Sequence, residues 1–420
     1  MSEEKLVPKL RFSGFNDKWY KSNLGEVSSN EMYGMNSASK EYDGFNKYIR
    51  ITDISETSNK FVPNPLTSPA DDLDDKYKLQ EGDMVFARTG ASTGKTYLYD
   101  ENDGTLYFAG FLIKFHIDNA VPKFIFYNTL KEEYLNWVSV MSVRSGQPGI
   151  NSNEYKKLPL YLPSIEEQNK ISEFLNIIDN KIELLEKKYE YYQDFKKYLM
   201  QQIFTQKLRF ADFDDEWQSV KLGDFLTFYP TNSFSREKLN YESGNVKNIH
   251  YGDIHTKFPT ILSIAGNKEV PYINDNIDLS KYKDNQYLQE GDLIITDASE
   301  DYADIGKAIE VKDINDEKVL AGLHTILARD EKNITVDGFK GYLFLTEDLK
   351  TNIKRIANGI SVLGISKNNL SKLKVNIPSK QEQQEIVNLF LSIDKKIELF
   401  EYKYKKAQEF KKGLLQQMFI

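Results

Sequence analysis

The chain contains two copies of one sequence, and this internal repeat limits the possible folds more than any other feature. Residues 9–25 read KLRFSGFNDKWYKSNLG, and residues 207–223 read KLRFADFDDEWQSVKLG. A longer match aligns residues 150–204 with residues 365–419 without a gap, and about half of its positions are identical. The ends of the copies are therefore alike while their middles differ. This pattern predicts two equivalent frames that carry two different recognition surfaces.

The long repeated segments have the pattern of long helices. Each begins with a capping box after a proline, Ser164-x-x-Glu167 and Ser379-x-x-Glu382. Apolar residues then recur every seven positions for about five heptads, which predicts a left-handed coiled coil. The first copy has Ile171, Ile178, Leu185, Tyr192 and Leu199 with the companion row Leu175, Ile182, Tyr189 and Ile203, interrupted at Lys196. The second has Ile386, Ile393, Phe400, Ala407 and Leu414 with Phe390, Ile397, Tyr404 and Met418.

The direction of the two helices follows from the chain between them. A helix of about 40 residues is roughly 60 Å long, whereas a compact domain of this size is only about 40 Å across. A parallel pair would require the second copy to carry the chain back along the whole first helix. We therefore expect an antiparallel pair with one globular copy at each end.

The middles of the copies have the pattern of compact α/β domains. Short apolar runs such as DMVFA (83–87) and DLIIT (292–296) indicate strands, and residues 122–140 and 338–358 indicate helices. The expected fold class is thus α/β, with two α/β domains joined by two long helices in a pseudo-two-fold repeat. The expected boundaries are a first domain with an N-terminal arm at 1–163, a first helix at 164–205, a second domain at 206–378 and a second helix at 379–420.

Composition excludes several classes of protein. No stretch of about 18 apolar residues is present, and the sequence MSEEKLVPKLRF lacks the apolar core of a signal peptide, so we expect a cytoplasmic protein. The chain has no cysteine and four histidines, which excludes thiolate metal sites and disfavours a histidine-rich one, and no metal site is expected. The net charge of −8 weighs against simple DNA binding, although binding depends on local fields.

The sequence offers no site of catalysis. RTGASTGKT (88–96) resembles a phosphate loop, but Gly90 and Gly94 enclose three residues where that loop needs four, and the second copy (296–308) does not match. No amino-methyltransferase motif, glycine-rich cofactor fingerprint or nuclease spacing occurs, and the run DDLDD (71–75) is typical of a solvated loop. We therefore expect a protein that is not an enzyme and binds no cofactor itself.

The repeated motifs resemble those of type I restriction–modification specificity subunits over nearly the whole chain. The resemblance rests on KLRF-x-x-F-x-x-x-W near each domain start, on LQEGD (79–83 and 288–292) followed by a strand and a Gly-Lys pair, and on the Pro-Ser-x-x-Glu-Gln start of each long helix. It implies that each globular copy is a target recognition domain for one part of a bipartite DNA sequence. It also implies that the helices set the spacing and dock two methyltransferase subunits, which restriction subunits join. S-adenosylmethionine, ATP and Mg²⁺ would belong to those partners.

Basic, amide and hydroxyl side chains near turns are the candidates for contact with double-stranded DNA, because arginine and lysine pair with guanine, and asparagine and glutamine with adenine. The candidates are Lys47, Arg50, Arg88, Thr89, Ser92, Lys95, Arg144 and Gln147 in the first copy, and Lys247, His250, Tyr251, His255, Ser299, Lys307, Lys354 and Arg355 in the second. An aspartate in the acidic loop 297–304 could also accept a hydrogen bond from a cytosine amino group. The alternative function is a bivalent coiled-coil adaptor that binds other proteins, which the acidic charge favours.

Overall fold

A computed structural model describes residues 6–302, 304–359 and 362–420. The chain forms two compact units. The first contains the residues up to Lys187 together with Phe400–Ile420, and the second contains Lys188–Leu399. Each unit thus combines one globular copy with the N-terminal part of one long helix and the C-terminal part of the other.

The first copy has ten strands and is followed by the first long helix. The strands are β1 (Tyr20–Asn23), β2 (Ser28–Tyr33), β3 (Ser39–Glu41), β4 (Lys47–Ile49), β5 (Thr67–Pro69), β6 (Asp83–Ala87), β7 (Thr96–Leu98), β8 (Leu106–Phe108), β9 (Leu112–Ile117) and β10 (Pro159–Leu162). The helices are α1 (Leu24–Val27), α2 (Pro122–Asn128), α3 (Glu132–Met141), α4 (Ser152–Tyr155) and the long α5 (Ile165–Phe204).

The second copy repeats this order with extra strands. The strands are β11 (Gln218–Lys221), β12 (Leu226–Tyr229), β13 (Leu239–Asn240), β14 (Val246–Ile249), β15 (Ile261–Ser263), β16 (Tyr272–Ile273), β17 (Leu293–Thr296), β18 (Ala298–Ser299), β19 (Ala308–Lys312), β20 (Lys318–Ala321), β21 (Thr325–Asp330), β22 (Leu363–Gly364) and β23 (Lys374–Ile377). The helices are α6 (Leu222–Phe225), α7 (Tyr251–Thr256), α8 (Phe339–Phe344), α9 (Glu347–Ile356), α10 (Lys367–Leu370) and the long α11 (Lys380–Met418).

The central sheet of each unit is built around the strand that follows LQEGD. In the first unit the order is β2-β9-β6-β7, all antiparallel, and in the second it is β12-β21-β17-β19-β15. All five residues of β6 and all four of β17 are buried. Strand pairs β1–β10 and β11–β23 close each copy next to its long helix. The predicted α/β class with an internal repeat is confirmed.

The long helices belong to the cores of the domains. In the first unit, Ile171 and Leu175 of α5 and Leu414 of α11 pack into one cluster with Trp19 and Phe124. In the second unit the equivalent cluster joins Leu199, Ile203, Ile386 and Phe390 to Trp217, among others. All the predicted seam residues are buried or half-buried, so the heptad pattern located the packed face correctly.

The helix segments within each unit run antiparallel, as predicted. In the first unit Asp179 pairs with Lys411 at 2.5 Å, and Glu186, about two turns further along α5, accepts from Tyr404, which precedes Lys411. In the second unit Lys196 pairs with Asp394, also at 2.5 Å, and the ring of Phe204, further along α5, lies 6.4 Å from the ring of Phe390, which precedes Asp394. In each unit, later residues of α5 therefore face earlier residues of α11.

Lys196, which interrupts the apolar row, has an exact counterpart in Lys411. Each lysine pairs with an aspartate of the facing helix, and a tyrosine of the globular copy donates to the same aspartate at 2.8 Å: Tyr127 to Asp179 and Tyr342 to Asp394. Such a partly buried polar pair in an apolar seam favours one register, because any other register leaves the charges unpaired.

Candidate nucleic-acid interface

The repeated arginine of KLRF fixes the start of each long helix. Arg11 donates from Nε and Nη2 to Glu167, both at 2.7 Å. Arg209 makes the same two bonds to Glu382, at 3.0 and 2.7 Å. Both carboxylates are almost completely buried and lie in the first helical turn, where negative charge is favourable. The capping-box glutamate therefore serves mainly as the arginine's partner.

The glutamine that follows this glutamate links each helix to its domain. Gln168 accepts from the backbone N–H of Val121 at 2.9 Å and donates to the carbonyl of Pro163 at 2.9 Å. Gln383 accepts from Val336 and donates to Pro378 in the same way, both at 2.9 Å. Because both glutamine side chains are buried and satisfied, the Glu-Gln motif is a structural anchor.

The aspartate of LQEGD is also structural. Asp83 accepts from the N–H of Gln80 at 3.0 Å and contacts His116 Nδ1 at 2.9 Å. Asp292 accepts from the N–H of Gln289 at 2.8 Å and forms a buried ion pair with Arg329. In both copies the carboxylate closes the turn that leads into the central strand.

The residues of the Gly-Lys pairs contact other segments of their own domains. Gly94 has a φ of +93°, and a Cβ there would lie 2.5 Å from Val138 of α3, so glycine permits the close contact with that helix. Lys95 donates to the carbonyl of Ile54 at 3.0 Å and pairs with Glu56. In the second copy Lys307 donates to the carbonyl of His255 at 2.7 Å. Both lysines, which were predicted to bind DNA, thus have partners inside their own domains.

Two loops in each copy form a shared edge at the end of the central strand. In the first copy, residues 88–95 and 142–150 are joined by Thr89 opposite Gly149 and by hydrogen bonds from Gly90 N to Pro148 O and from Ile150 N to Arg88 O, at 3.0 and 2.9 Å. We call these residues the first edge. It contains six of the predicted contacts, which are Arg88, Thr89, Ser92, Lys95, Arg144 and Gln147.

Arg88 differs from the other arginines of the first unit in its surroundings. Its guanidinium lies 4.9 Å from the ring centroid of Tyr33, and its Nε is buried without a hydrogen-bond partner. Among the described residues no carboxylate lies within ion-pair distance of it. Arg144, in contrast, makes two bonds to Glu154, at 2.7 and 2.6 Å. Phe111, whose carbonyl accepts from Arg88 N, is 60% exposed beside it.

The remaining two candidates of the first copy lie beside β4. Lys47 donates to the carbonyl of Asp103 at 2.6 Å. Arg50 makes two bonds to Asp53, at 2.8 and 2.7 Å, and is 28% exposed. Both cations are thereby held at the surface by neighbours of the same copy.

The second copy has an equivalent edge formed by residues 297–302 and 304–307 with 357–359 and 362–365. Strand β18 pairs with β22, and Ile365 N donates to Asp297 O at 2.9 Å. Ser299 is buried and bonds to the backbone of Asp301, Lys354 lies 5.8 Å from the ring of Tyr302, and the exposed Arg355 donates to Asn352. We call these residues, with Lys354 and Arg355, the second edge.

Three of the four histidines gather next to the second edge. The ring of Tyr251 lies 4.7, 6.0 and 5.3 Å from the rings of His250, His255 and His324. Burial lowers the pKa of His250, aided by the charge of Arg236, which fits a neutral ring whose Nδ1 accepts from Gly252 N. Both ring nitrogens of His255 are buried without a hydrogen-bond partner. Three of these residues were sequence candidates, and His324 was missed because nothing in its flanking sequence singles it out.

Lys247 lies apart from this edge. Its side chain is 2% exposed, pairs with Glu317 and donates to the carbonyls of Ile264 and Asn267, both at 3.2 Å. A lysine so enclosed supports the fold of its domain. Of the sixteen candidates it has the most buried side chain.

The described residues contain no long apolar helix able to cross a membrane and no group of three or more metal-ligating side chains arranged to hold an ion. The helix segments do expose large apolar side chains away from their seams. In the first unit they include Ile177, Leu184, Tyr402 and Phe410, and in the second they include Tyr191, Tyr198 and Leu399.

Comparison with known proteins gives a consistent result. The family model described as "Type I restriction modification DNA specificity domain" matches residues 16–191 and 214–409. The putative type I restriction enzyme MjaX specificity subunit of Methanocaldococcus jannaschii is 24% identical over 361 residues, covering 80% of this chain and 77% of that protein. The MjaVIII specificity subunit of the same organism is 23% identical over 358 residues, covering 80% and 78%.

Solved structures share the fold. The S subunit of a type I restriction–modification system from M. genitalium has a TM-score of 0.62 at 15% identity, covering 99% of both chains. A chain from a study of complex assembly and conformational transition of the type I R-M system has a TM-score of 0.53 at 17% identity, covering 97% of this chain and 98% of that one.

Proposed function

The chain belongs to the type I restriction–modification DNA specificity family, and from this premise we propose that its two copies each read one part of a bipartite DNA target on behalf of partner subunits that do the chemistry. One observation carries the proposal: two copies share the same internal anchors but present different side chains on equivalent edges. Identical frames with unlike edges suit a protein that must recognise two unlike half-sites in the same manner.

The edges offer the chemistry of DNA contact. The first edge carries Arg88, Thr89, Ser92, Arg144 and Gln147, whose guanidinium, hydroxyl and amide groups suit base edges and phosphates. The second edge offers Ser299, Lys354 and Arg355, with His250, Tyr251 and His255 next to it. Lys95 and Lys307 serve these edges by holding the loops in place, as Lys47 and Arg50 do beside β4. Lys247 is enclosed in the second domain and supports the fold of that domain.

The helices are the proposed docking site for two methyltransferase subunits, which restriction subunits join. The apolar side chains exposed on the helix segments of each unit support this role, because partner proteins bury such side chains. On this proposal the chain is not itself an enzyme and works in the cytoplasm. S-adenosylmethionine, ATP and Mg²⁺ bind to the partners. The net charge of −8 then means that partners supply many of the phosphate contacts. The functional boundaries are those at 163, 205 and 378.

Sequencing of methylated bases in the host tests the proposal. A strain lacking this gene should lose methylation at one bipartite motif and regain it when the gene is restored. Replacing residues 15–163 with the first domain of another family member should change one half of that motif only. An identical methylation pattern with and without the gene would refute the proposal and favour the adaptor. A change in both halves after the replacement would refute independent reading.

A further inference from the structure

Arg88 of the first edge and Asp297 of the second can be matched through equivalent backbone hydrogen bonds, although their residue types differ. Arg88 N donates to Phe111 O at 3.0 Å, and Asp297 N donates to His324 O at 3.1 Å. Arg88 O accepts from Ile150 N, and Asp297 O accepts from Ile365 N, both at 2.9 Å. Each residue directly follows the buried central strand of its copy, β6 or β17. Arg88 and Asp297 therefore occupy the same place in the two copies.

The guanidinium of Arg88 has donors available for a ligand. Six of the eight arginines of the chain form ion pairs with carboxylates, which are Arg11, Arg50, Arg144, Arg209, Arg236 and Arg329. Arg88 lies against the ring of Tyr33, its Nε is buried without a hydrogen-bond partner, and the described residues provide it with no carboxylate. A guanidinium that is placed by an aromatic neighbour and not neutralised by a carboxylate keeps terminal N–H donors for a partner with two acceptors.

Asp297 presents the opposite chemistry at the same place. Its carboxylate is 34% exposed and lies beside the imidazole of His324, with Nδ1 at 3.4 Å from Oδ1. His324 is 49% exposed and takes the place of Phe111 in the first copy. An exposed carboxylate can only accept hydrogen bonds, so it would repel phosphate and select an amino group.

Resting on the proposed function, we propose that Arg88 and Asp297 are equivalent specificity-determining residues with opposite base preference. Arg88 donates two hydrogen bonds to O6 and N7 of a guanine in one half-site. Asp297 accepts a hydrogen bond from the N4 amino group of a cytosine in the other half-site. Phe111 and His324 flank these contacts. The same frame thereby reads two different bases by exchanging a donor for an acceptor at one position.

The test is the methylation motif of host strains that express single variants in place of the gene. Arg88→Ala should relax one guanine position of one half-site, with a loss of discrimination of about 5- to 150-fold, and leave the other half unchanged. Arg88→Lys should give an intermediate loss, since lysine keeps the charge but not the fork. Asp297→Asn should shift one cytosine position of the other half toward adenine, which pairs with an amide. Lys76→Ala and Asp316→Asn, at exposed positions outside both edges, are the matched controls.

The unchanged half-site in each variant reports that the chain still folds and assembles. The inference is overturned if Arg88→Ala leaves the motif unaltered at equal protein level, if both halves relax together, or if the wild-type half-site affected lacks a guanine. An unaltered motif in Asp297→Asn overturns the second half of the inference. A wild-type gene that confers no methylated motif would instead refute the proposed function, and this inference with it.

Discussion

Removing the carboxylate of Glu382 tests whether the repeated Arg–Glu pair holds the second unit together. Glu382 is 2% exposed and accepts from Arg209 Nε and Nη2 and from Trp217 Nε1, the last at 3.1 Å. Loss of one partner of a buried ion pair costs about 3–5 kcal/mol, because it leaves an uncompensated charge. Arg209 is 18% exposed and can rehydrate in part. We therefore expect Glu382→Ala to lower the free energy of unfolding by about 3 kcal/mol.

For a unit of this size, 1 kcal/mol corresponds to about 2–4 °C in Tm, so the unfolding transition of the second unit should fall by roughly 6–12 °C. Differential scanning calorimetry of the full chain measures it. Glu385→Ala, an exposed position in the next turn of α11, is the matched control and should change Tm by less than 2 °C, since such surface changes cost about 0.5 kcal/mol or less. If Glu382→Ala and Glu385→Ala unfolded at the same temperature, the Arg209–Glu382 pair would contribute nothing to the stability of the second unit. The double variant Arg209→Met/Glu382→Leu should recover part of the loss, because no buried charge is left alone.

Further predictions concern other features of the frame. Trp217→Phe should cost about 1–2 kcal/mol more than Trp19→Phe in urea unfolding, because only Trp217 donates to the glutamate and the Trp19 Nε1 is buried without a partner; equal losses would contradict this account. Gly94→Ala should destabilise the chain by about 2–3 kcal/mol, whereas Gly44→Ala, with a similar φ of +91° and open space around it, should cost about 1 kcal/mol; similar losses would show that packing against α3 is unimportant. Lys196→Met should lower stability by about 2 kcal/mol, since it leaves the Asp394 carboxylate with the Tyr342 hydroxyl and no cation, and a more stable variant would refute a structural role for the Lys196–Asp394 pair.

The long helices were predictable because heptad spacing and capping boxes are local signals. The residues of the seam and the antiparallel direction followed from them. The partner of Lys196 was not predictable, because sequence spacing along one helix does not identify the side chain that faces it on the other. Only the structure brings Asp394 and Tyr342 to that lysine.

The DNA-contacting residues were harder to predict, because whether a side chain is free to contact DNA depends on which atoms of its own domain it already bonds to. Lys95 and Lys307 stand beside repeated glycines, yet each bonds to a carbonyl of its own domain. The equivalence of Phe111 and His324 has no trace in the residue types and is visible only in backbone hydrogen bonds. Residue type can suggest base contacts, but burial and pairing decide which side chains remain available.

The anchors of the repeated frame also bear on how such genes change. Every anchor described, from Arg11–Glu167 to Gln383–Val336, is satisfied within one unit and recurs in the other. Recombination between the two similar gene segments, or with a related gene, would exchange a whole edge while leaving each anchor intact. A gene conversion that copied one middle over the other would yield a chain with two identical edges, and its target would become two copies of a single half-site.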